Sequence, residues 1–229
     1  MALQILTVQT ATAGGSVALT ADEQLLGEIC LNTRKTPADW LLGAVQRLLA
    51  GAGLTLDQLD AFGVVSGPGA FTGLRVGMAT VKGLAFSADR PVVGVSTLEC
   101  LALHAPFSHL PVCAMLDARK KEVYVATYVR EEGGLHRLGD ESVVAPDIFL
   151  DSCSVETLFV GNGSSVYRTL ITRRLGRQAH FLSGLYDLPR AGLAAQLVLR
   201  DWHAGKAQSA EQLRPRYLRP SEAELNMPK

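Results

Sequence analysis

Apolar positions along this chain fall into runs that predict strands and helices in a repeating order. Residues 3–9, 16–20 and 25–31 read as three strands, with Gly14-Gly15 and Asp22-Glu23 at the turns between them. A helix is expected next. Thr36 stands at its N-cap, Pro37 at the first helical position, Asp39 where a capping box needs an acceptor, and Gly51 at the C-terminal stop. Residues 61–66 then read as a strand, 70–86 as a helix, 92–95 as a strand and 97–103 as a short helix. The order is β-β-β-α-β-α-β-α.

The second half repeats that order. Residues 112–117, 122–129 and 135–144 are strand-like; in the middle run Tyr124, Ala126 and Tyr128 alternate with Val123, Val125, Thr127 and Val129. A short helix is expected over 146–150, a strand over 158–160, a helix over 165–175, a brief strand around His180-Phe181 and a long helix from Pro189 to about residue 205. Two successive units of one order predict a duplicated architecture, divided within residues 104–111, which hold Pro106 and Pro111. A three-strand meander followed by crossovers gives a mixed sheet flanked by helices. The order resembles that of actin-like, ribonuclease-H-like lobes. The expected fold is therefore α/β with two such lobes, 1–105 and 106–229, the tail returning to the first.

The most distinctive stretch is Ser66-Gly67-Pro68-Gly69-Ala70-Phe71-Thr72-Gly73-Leu74-Arg75-Val76-Gly77, at the junction of a strand and a helix. Glycines there permit a sharp turn and close backbone approach, and a helix start offers backbone N–H groups to an anion or a carbonyl. The familiar phosphate loops do not fit. Gly-Lys-Ser/Thr is absent, and Gly67, Gly69 and Gly73 are spaced one residue too long for the dinucleotide fingerprint. Gly73 and Gly77 share a helical face, where each costs roughly 1 kcal/mol relative to alanine. Close packing of that helix on its neighbours is the simplest reason for them.

Composition narrows the chemistry. The 229 residues are 48% hydrophobic, ample for a core, and the formal net charge is zero, which argues against a general polyanion binder. Residues 168–219 nevertheless hold ten Lys/Arg against three Asp/Glu, either a nucleic-acid face or a solvated surface balanced by acids elsewhere. Cys30, Cys100, Cys113 and Cys153 show no Cys-x-x-Cys spacing and read as reduced, mostly buried thiols. Without a basic leader or an apolar run of about 18 residues, a cytoplasmic protein with no membrane partner is expected. His104 and His109 are separated by Pro106, and His136, His180 and His203 are isolated, so no metal site is expected. Gly-x-Ser-x-Gly is absent, and Ser66 and Ser164-Ser165 read as turn and cap residues. Asp117, ending a strand, is the best candidate carboxylate; a strand-end cap or an ion pair with Arg119 explains it as well.

The glycine stretch, followed by Lys82-Gly83-Leu84-Ala85 and Gly94-Val95-Ser96-Thr97-Leu98, closely resembles the bacterial TsaB (YeaZ) family. Asp117-Ala118-Arg119 with Glu122-Val123-Tyr124, and the C-terminal Pro215-Arg216-Tyr217-Leu218-Arg219, match further family stretches in the right order. The resemblance implies a role in forming N6-threonylcarbamoyl-adenosine beside the tRNA anticodon. It implies that TsaD catalyses the transfer and TsaE hydrolyses ATP. This chain would then be a non-catalytic partner and scaffold that forms a homodimer in isolation and meets tRNA through the complex. ATP and magnesium would be used by the partner proteins, with no cofactor assigned to this chain. The alternatives are an active actin-like ATPase or kinase and a glycoprotease-like peptidase.

The same resemblance places the helices at 37–50 and 70–86 at the dimer and TsaD contact, as a four-helix bundle. It nominates Trp40, Leu41, Leu48, Leu74, Met78, Val81, Lys82 and Ala85 as interface residues. Leu74, Met78, Val81 and Ala85 do form a helical stripe, which equally suits packing on the chain's own sheet. Thr10, Gly67, Gly69 and Asp117 would line a vestigial nucleotide groove. Two departures from the family pattern stand out: Gln9-Thr10-Ala11 where Asp-Thr-Ser is usual, and Asn32-Thr33-Arg34-Lys35 where a His-Ser pair is usual. A magnesium ion prefers carboxylate oxygen, so Gln9 removes a group that phosphoryl chemistry would use.

Overall fold

The computed structural model describes residues 2–33 and 35–219. The chain divides into two compact units: one runs to Cys100 and takes in Pro189–Pro215, the other spans Leu101–Leu188 and resumes at Arg216. No helix among the described residues is long and apolar enough to cross a membrane.

The first unit is built on strands β1 (Gln4–Gln9), β2 (Gly15–Ala21), β3 (Gln24–Leu31), β4 (Ala61–Gly67) and β5 (Val92–Ser96), in the order β3-β2-β1-β4-β5. The meander β1-β2-β3 is antiparallel, while β4 and β5 join β1 in parallel. Parallel neighbours need crossovers. Helix α1 (Pro37–Ala52) connects β3 to β4, and α2 (Phe71–Ala88) connects β4 to β5. The capping box expected at α1 forms, with the Thr36 N–H donating to Asp39 Oδ2 at 2.9 Å. Leu6, Val8, Phe62 and Val64 cover one sheet face and meet Trp40, Leu41, Ala44 and Val45 of α1 and Met78, Val81 and Ala85 of α2. Each large side chain removed from water there contributes roughly 1.5–3 kcal/mol.

The opposite face is closed by α7 (Ala191–His203), which packs on β1, β2, β4 and β5. Gly63 is open to that side, since a Cβ on it would lie 2.6 Å from Val198. Element order assigns this helix to the second half, but its contacts place it in the first unit, together with Leu213 and the Val92–Gln208 bridge. The division also falls at Cys100, within helix α3 (Thr97–Ala102), rather than at the prolines downstream. Residues beyond 219, part of the second expected lobe, lie outside the described residues.

The second unit repeats the plan. Strands β6 (Val112–Asp117), β7 (Val123–Glu131), β8 (Gly134–Val144), β9 (Thr157–Val160) and β10 (Ala179–Phe181) order as β10-β9-β6-β7-β8, again an antiparallel meander joined in parallel by two later strands. Helices α4 (Pro146–Asp151), α5 (Asn162–Val166) and α6 (Arg168–Leu175) supply the crossovers. Cys113, Met115, Val125, Phe159, Leu150 and Ile171 form its core. The single helix expected over 165–175 is two: α5 starts early, at Asn162 after Gly161 with φ 97°, and the chain leaves helical geometry at Tyr167 (φ −99°, ψ 14°) before α6 begins.

Candidate functional site

In the first unit the glycine loop is a joint between α2 and the end of β1. The Gly67–Pro68 peptide is cis, and the Ala70 N–H donates to the Ala11 carbonyl at 2.7 Å. The Thr10 hydroxyl donates to the Gly73 carbonyl at 2.8 Å. A Cβ on Gly69 would lie 2.2 Å from the Ala11 carbonyl oxygen, one on Gly73 2.1 Å from that of Thr10, and one on Gly77 2.1 Å from Thr10 Oγ1. These glycines let the helix descend onto the strand. The N–H of Ala70, which a bound phosphate could have used, is taken by protein.

Gln9 ends β1 without exposed surface, and its Nε2 donates to Thr12 Oγ1 at 3.2 Å. Thr12 Oγ1 in turn donates to the Gly14 carbonyl. A neutral amide enclosed by the chain offers no charge to a magnesium ion and its waters. Among the described residues no group of three or more His, Cys, Asp or Glu could hold a metal. Gln9 thus brings no carboxylate to this strand end, and its buried Oε1 has no hydrogen-bond partner among the described residues. Thr10, Gly67 and Gly69 are brought together in the first unit, and Asp117 belongs to the other. Its Oδ1 accepts the Arg119 N–H at 3.0 Å, its Oδ2 lies 3.9 Å from Arg119 Nε, and its N–H donates to Asn162 Oδ1 at 3.1 Å. Ser66 Oγ donates to the Val95 carbonyl on the neighbouring strand and Ser164 Oγ to the Gly161 carbonyl three residues back, while the N-cap of α5 is Gly161 rather than either expected serine.

Trp40, Leu41, Leu74, Met78, Val81 and Ala85, nominated for a partner, are buried, Val81 completely. All but Leu74 belong to the core described above, because the apolar sheet face needs the broadest apolar stripe of each helix. Leu48 and Lys82 are half-buried. The surface left outward on α2 is different: Thr72, Arg75, Ala79, Gly83 and Phe86, spaced to share one face. Phe86 is 77% exposed, and Leu42 of α1 is 54% exposed. Gly83 differs from the glycines of the joint, since a Cβ on it would meet nothing within 4 Å. The sequence signal for this face is Gly83 itself, a glycine inside a helix and off the buried stripe, within Lys82-Gly83-Leu84-Ala85.

A family profile described as TsaD, tRNA N6-adenosine threonylcarbamoyltransferase, matches residues 32–227. The tRNA threonylcarbamoyladenosine biosynthesis protein TsaB of Escherichia coli is 33% identical over 99% of this chain and 99% of its own length. The chain belongs to the TsaB family. TsaB of Haemophilus influenzae is 31% identical over 95% of the chain and 94% of its own length. The structure of YeaZ from Pseudomonas aeruginosa matches with a TM-score of 0.82 at 33% identity, over 94% of this chain and 100% of that one. A component of (R)-2-hydroxyglutaryl-CoA dehydratase from Acidaminococcus fermentans, 12% identical with a TM-score of 0.52, shares the fold alone. The chain is thus a TsaB-family protein of the threonylcarbamoyladenosine pathway, built from two actin-like sheets.

Within this TsaB-family chain the basic stretch is largely matched by acids. Arg190 pairs with Glu28, Arg200 with Glu99 and Asp201, Lys206 with Asp201, Arg174 with Asp151, Arg216 with Glu141 and Arg219 with Glu122. Arg168 stacks on Phe181, its guanidinium carbon 4.2 Å from the ring centroid. Most of the local excess is therefore structural. At the departure after β3, Thr33 Oγ1 accepts the Lys35 N–H at 3.3 Å, and Arg34 lies outside the described residues. The thiols are free. Cys100 and Cys113 are buried, Cys153 is half-buried, and Cys30 is exposed, against the expectation of mostly buried thiols. Burial pushes Cys100 up to about 12 and Cys113 well above the ordinary thiol range. Burial, and then the nearby Glu28 carboxylate, also raise Cys30.

Proposed function

We propose that this chain is a non-catalytic scaffold subunit of the machinery that transfers a threonylcarbamoyl group to tRNA. In this reading it binds and supports a TsaD-type transferase, with TsaE as the ATP-hydrolysing component, and acts as a homodimer when its partner is absent. The observation that carries the reading is the outer face of α2. Gly83 costs its helix about 0.5–1 kcal/mol and relieves no internal crowding, so a close neighbour from outside accounts for it. Ala79 beside it is small, and Phe86 and Leu42 offer apolar side chains for a partner's pockets.

A second support is chemical. The neutral, enclosed Gln9 and the Ala70 N–H already held by Ala11 speak against magnesium-nucleotide chemistry in this chain. Mixing it with its cognate TsaD should give a stoichiometric complex by light scattering. Phe86→Glu is expected to weaken that complex by at least about tenfold while leaving the free chain folded. No complex at any protein or nucleotide concentration would count against the scaffold. Magnesium-dependent ATP turnover by the pure chain, abolished by Asp117→Ala, would replace it with the ATPase reading.

A further inference from the structure

The second unit holds a cleft between the segment that follows α3 and the end of β7. Its volume is about 390 Å³, and Pro106, Phe107, Ser108, His109 and Arg130 line it. That size falls within the roughly 300–1,000 Å³ of small-molecule sites. The register that pairs Val112 with Tyr128 carries the segment before β6 alongside Arg130.

The segment is held by its own hydrogen bonds. The Ala105 N–H donates to the Ala102 carbonyl and the Ser108 N–H to the Ala105 carbonyl, both at 3.2 Å. Ser108 Oγ donates to the Leu110 carbonyl at 2.9 Å and accepts the Leu110 N–H at 3.2 Å. Pro106 fixes φ at the bend. On this held backbone Phe107 is 88% exposed, more than any other large apolar side chain described. Burying such a ring would contribute roughly 1.5–3 kcal/mol, and the fold forgoes it. Arg130 and His109 are exposed, and neither side chain has a hydrogen bond or ion pair among the described residues. Ser108 is consumed by the segment itself. The groups the cleft offers a ligand are therefore an aromatic ring, a guanidinium and an imidazole.

We infer that this cleft takes one unpaired nucleotide of an RNA strand, its base against Phe107 and its phosphate at Arg130 and His109. In the assembly proposed above the strand belongs to tRNA, and to that extent the inference rests on that reading. The three groups select the ligand together. An exposed ring stacks on any base, and a guanidinium matches phosphate oxygens with paired N–H donors. An acidic peptide would satisfy Arg130 and leave the ring in water. A duplex would offer phosphate while keeping its bases stacked on one another, so the nucleotide is an unpaired one.

The test titrates the full chain, alone and with its cognate TsaD, against a labelled, unstructured RNA oligonucleotide and an unmodified tRNA transcript at several salt concentrations. Phe107→Ala should lower oligonucleotide affinity by about tenfold and leave the salt dependence unchanged, because stacking releases no counterions. Phe107→Tyr should bind as the parent does. Arg130→Gln should lower affinity too, and should cut the slope of log affinity against log salt by about 0.7, the share of one phosphate contact on a single strand. Both positions are exposed, so thermal midpoints should stay with the parent's. The same oligonucleotide annealed to its complement should bind more weakly. No RNA binding by the parent chain in either form, unchanged affinity in Phe107→Ala, or equal affinity for the duplex would overturn the inference. So would AMP binding more tightly than the oligonucleotide, since the cleft would then serve a free nucleotide. Light scattering on the samples with TsaD reports complex formation separately, so loss of the scaffold reading and loss of the RNA cleft give different results.

Discussion

Two kinds of glycine occupy α2, and their difference is measurable. Gly73 faces the Thr10 carbonyl, where an added Cβ would sit at 2.1 Å against backbone that cannot swing away. Gly73→Ala should therefore cost about 1–3 kcal/mol, as overpacking does. Gly83→Ala, into open space, should stabilise the free chain by roughly 0.5–1 kcal/mol and yet weaken binding to TsaD. Urea unfolding with a parallel binding titration separates the two; equal stability changes at both positions would contradict the distinction. The close approach of Gly73 and Gly77 was legible in the sequence because their four-residue spacing puts them on one face. Gly83 was not, since whether a glycine faces sheet or solvent depends on which stripe the core selects. The thiols offer a second check. Cys100 and Cys113 should resist iodoacetamide at neutral pH until the chain unfolds, because burial both shields them and disfavours the thiolate. Cys30 is exposed and should label first, with a rate still rising above pH 9 because its thiol is raised too. Mass spectrometry of timed labelling reads the order.

Strands and helices followed the sequence closely because each carried its own signals: turn glycines between the strands of the meanders, Thr36-Pro37-x-Asp39 at α1, alternation in β7. The helix faces did not. Both sides of α2 are apolar or small, so periodicity marks a stripe without saying whether sheet or partner receives it, and here the sheet takes Met78, Val81 and Ala85. The home of α7 was equally hidden, because chain order lists it after the second meander while its apolar side fits β1 and β4. Another element whose role appears only in three dimensions is the C-terminal Pro-Arg-Tyr-Leu-Arg segment. Arg216 reaches the Glu141 carboxylate at 3.4 Å, a side chain with no exposed surface that also meets Arg137 at 3.6 Å and Tyr128 Oη at 3.4 Å. Removing a cation from a buried carboxylate leaves its charge less compensated. Arg216→Ala should cost about 1–3 kcal/mol, less than the loss of a sole partner because Arg137 remains. Adding Glu141→Gln to that variant should recover part of the loss, a non-additivity that a double-mutant cycle in urea detects. Simple additivity would show that the tail does not stabilise this site.

At the scale of the whole molecule, the same five-strand order appears twice, and the first strands of the two sheets end differently. One carries Gln9, enclosed and neutral; the other carries Asp117, engaged with its own turn. The first unit also carries an outward helix face with Ala79, Gly83 and the exposed Phe86. Fold and family were legible from motifs, whereas the outward faces were not: surface residues obey no periodicity that the core imposes. The pathway role can be tested without knowing any site. Depleting this protein in its own cells should lower N6-threonylcarbamoyl-adenosine in bulk tRNA, read by mass spectrometry of nucleosides. Restoring the parent chain should restore the nucleoside, and Asp117→Ala should restore it equally if Asp117 serves only its turn. Phe86→Glu should restore it poorly, because the defect lies in docking rather than chemistry. Unchanged nucleoside on depletion would remove the chain from the pathway in that cell, and full rescue by Phe86→Glu would remove the helix face from its mechanism.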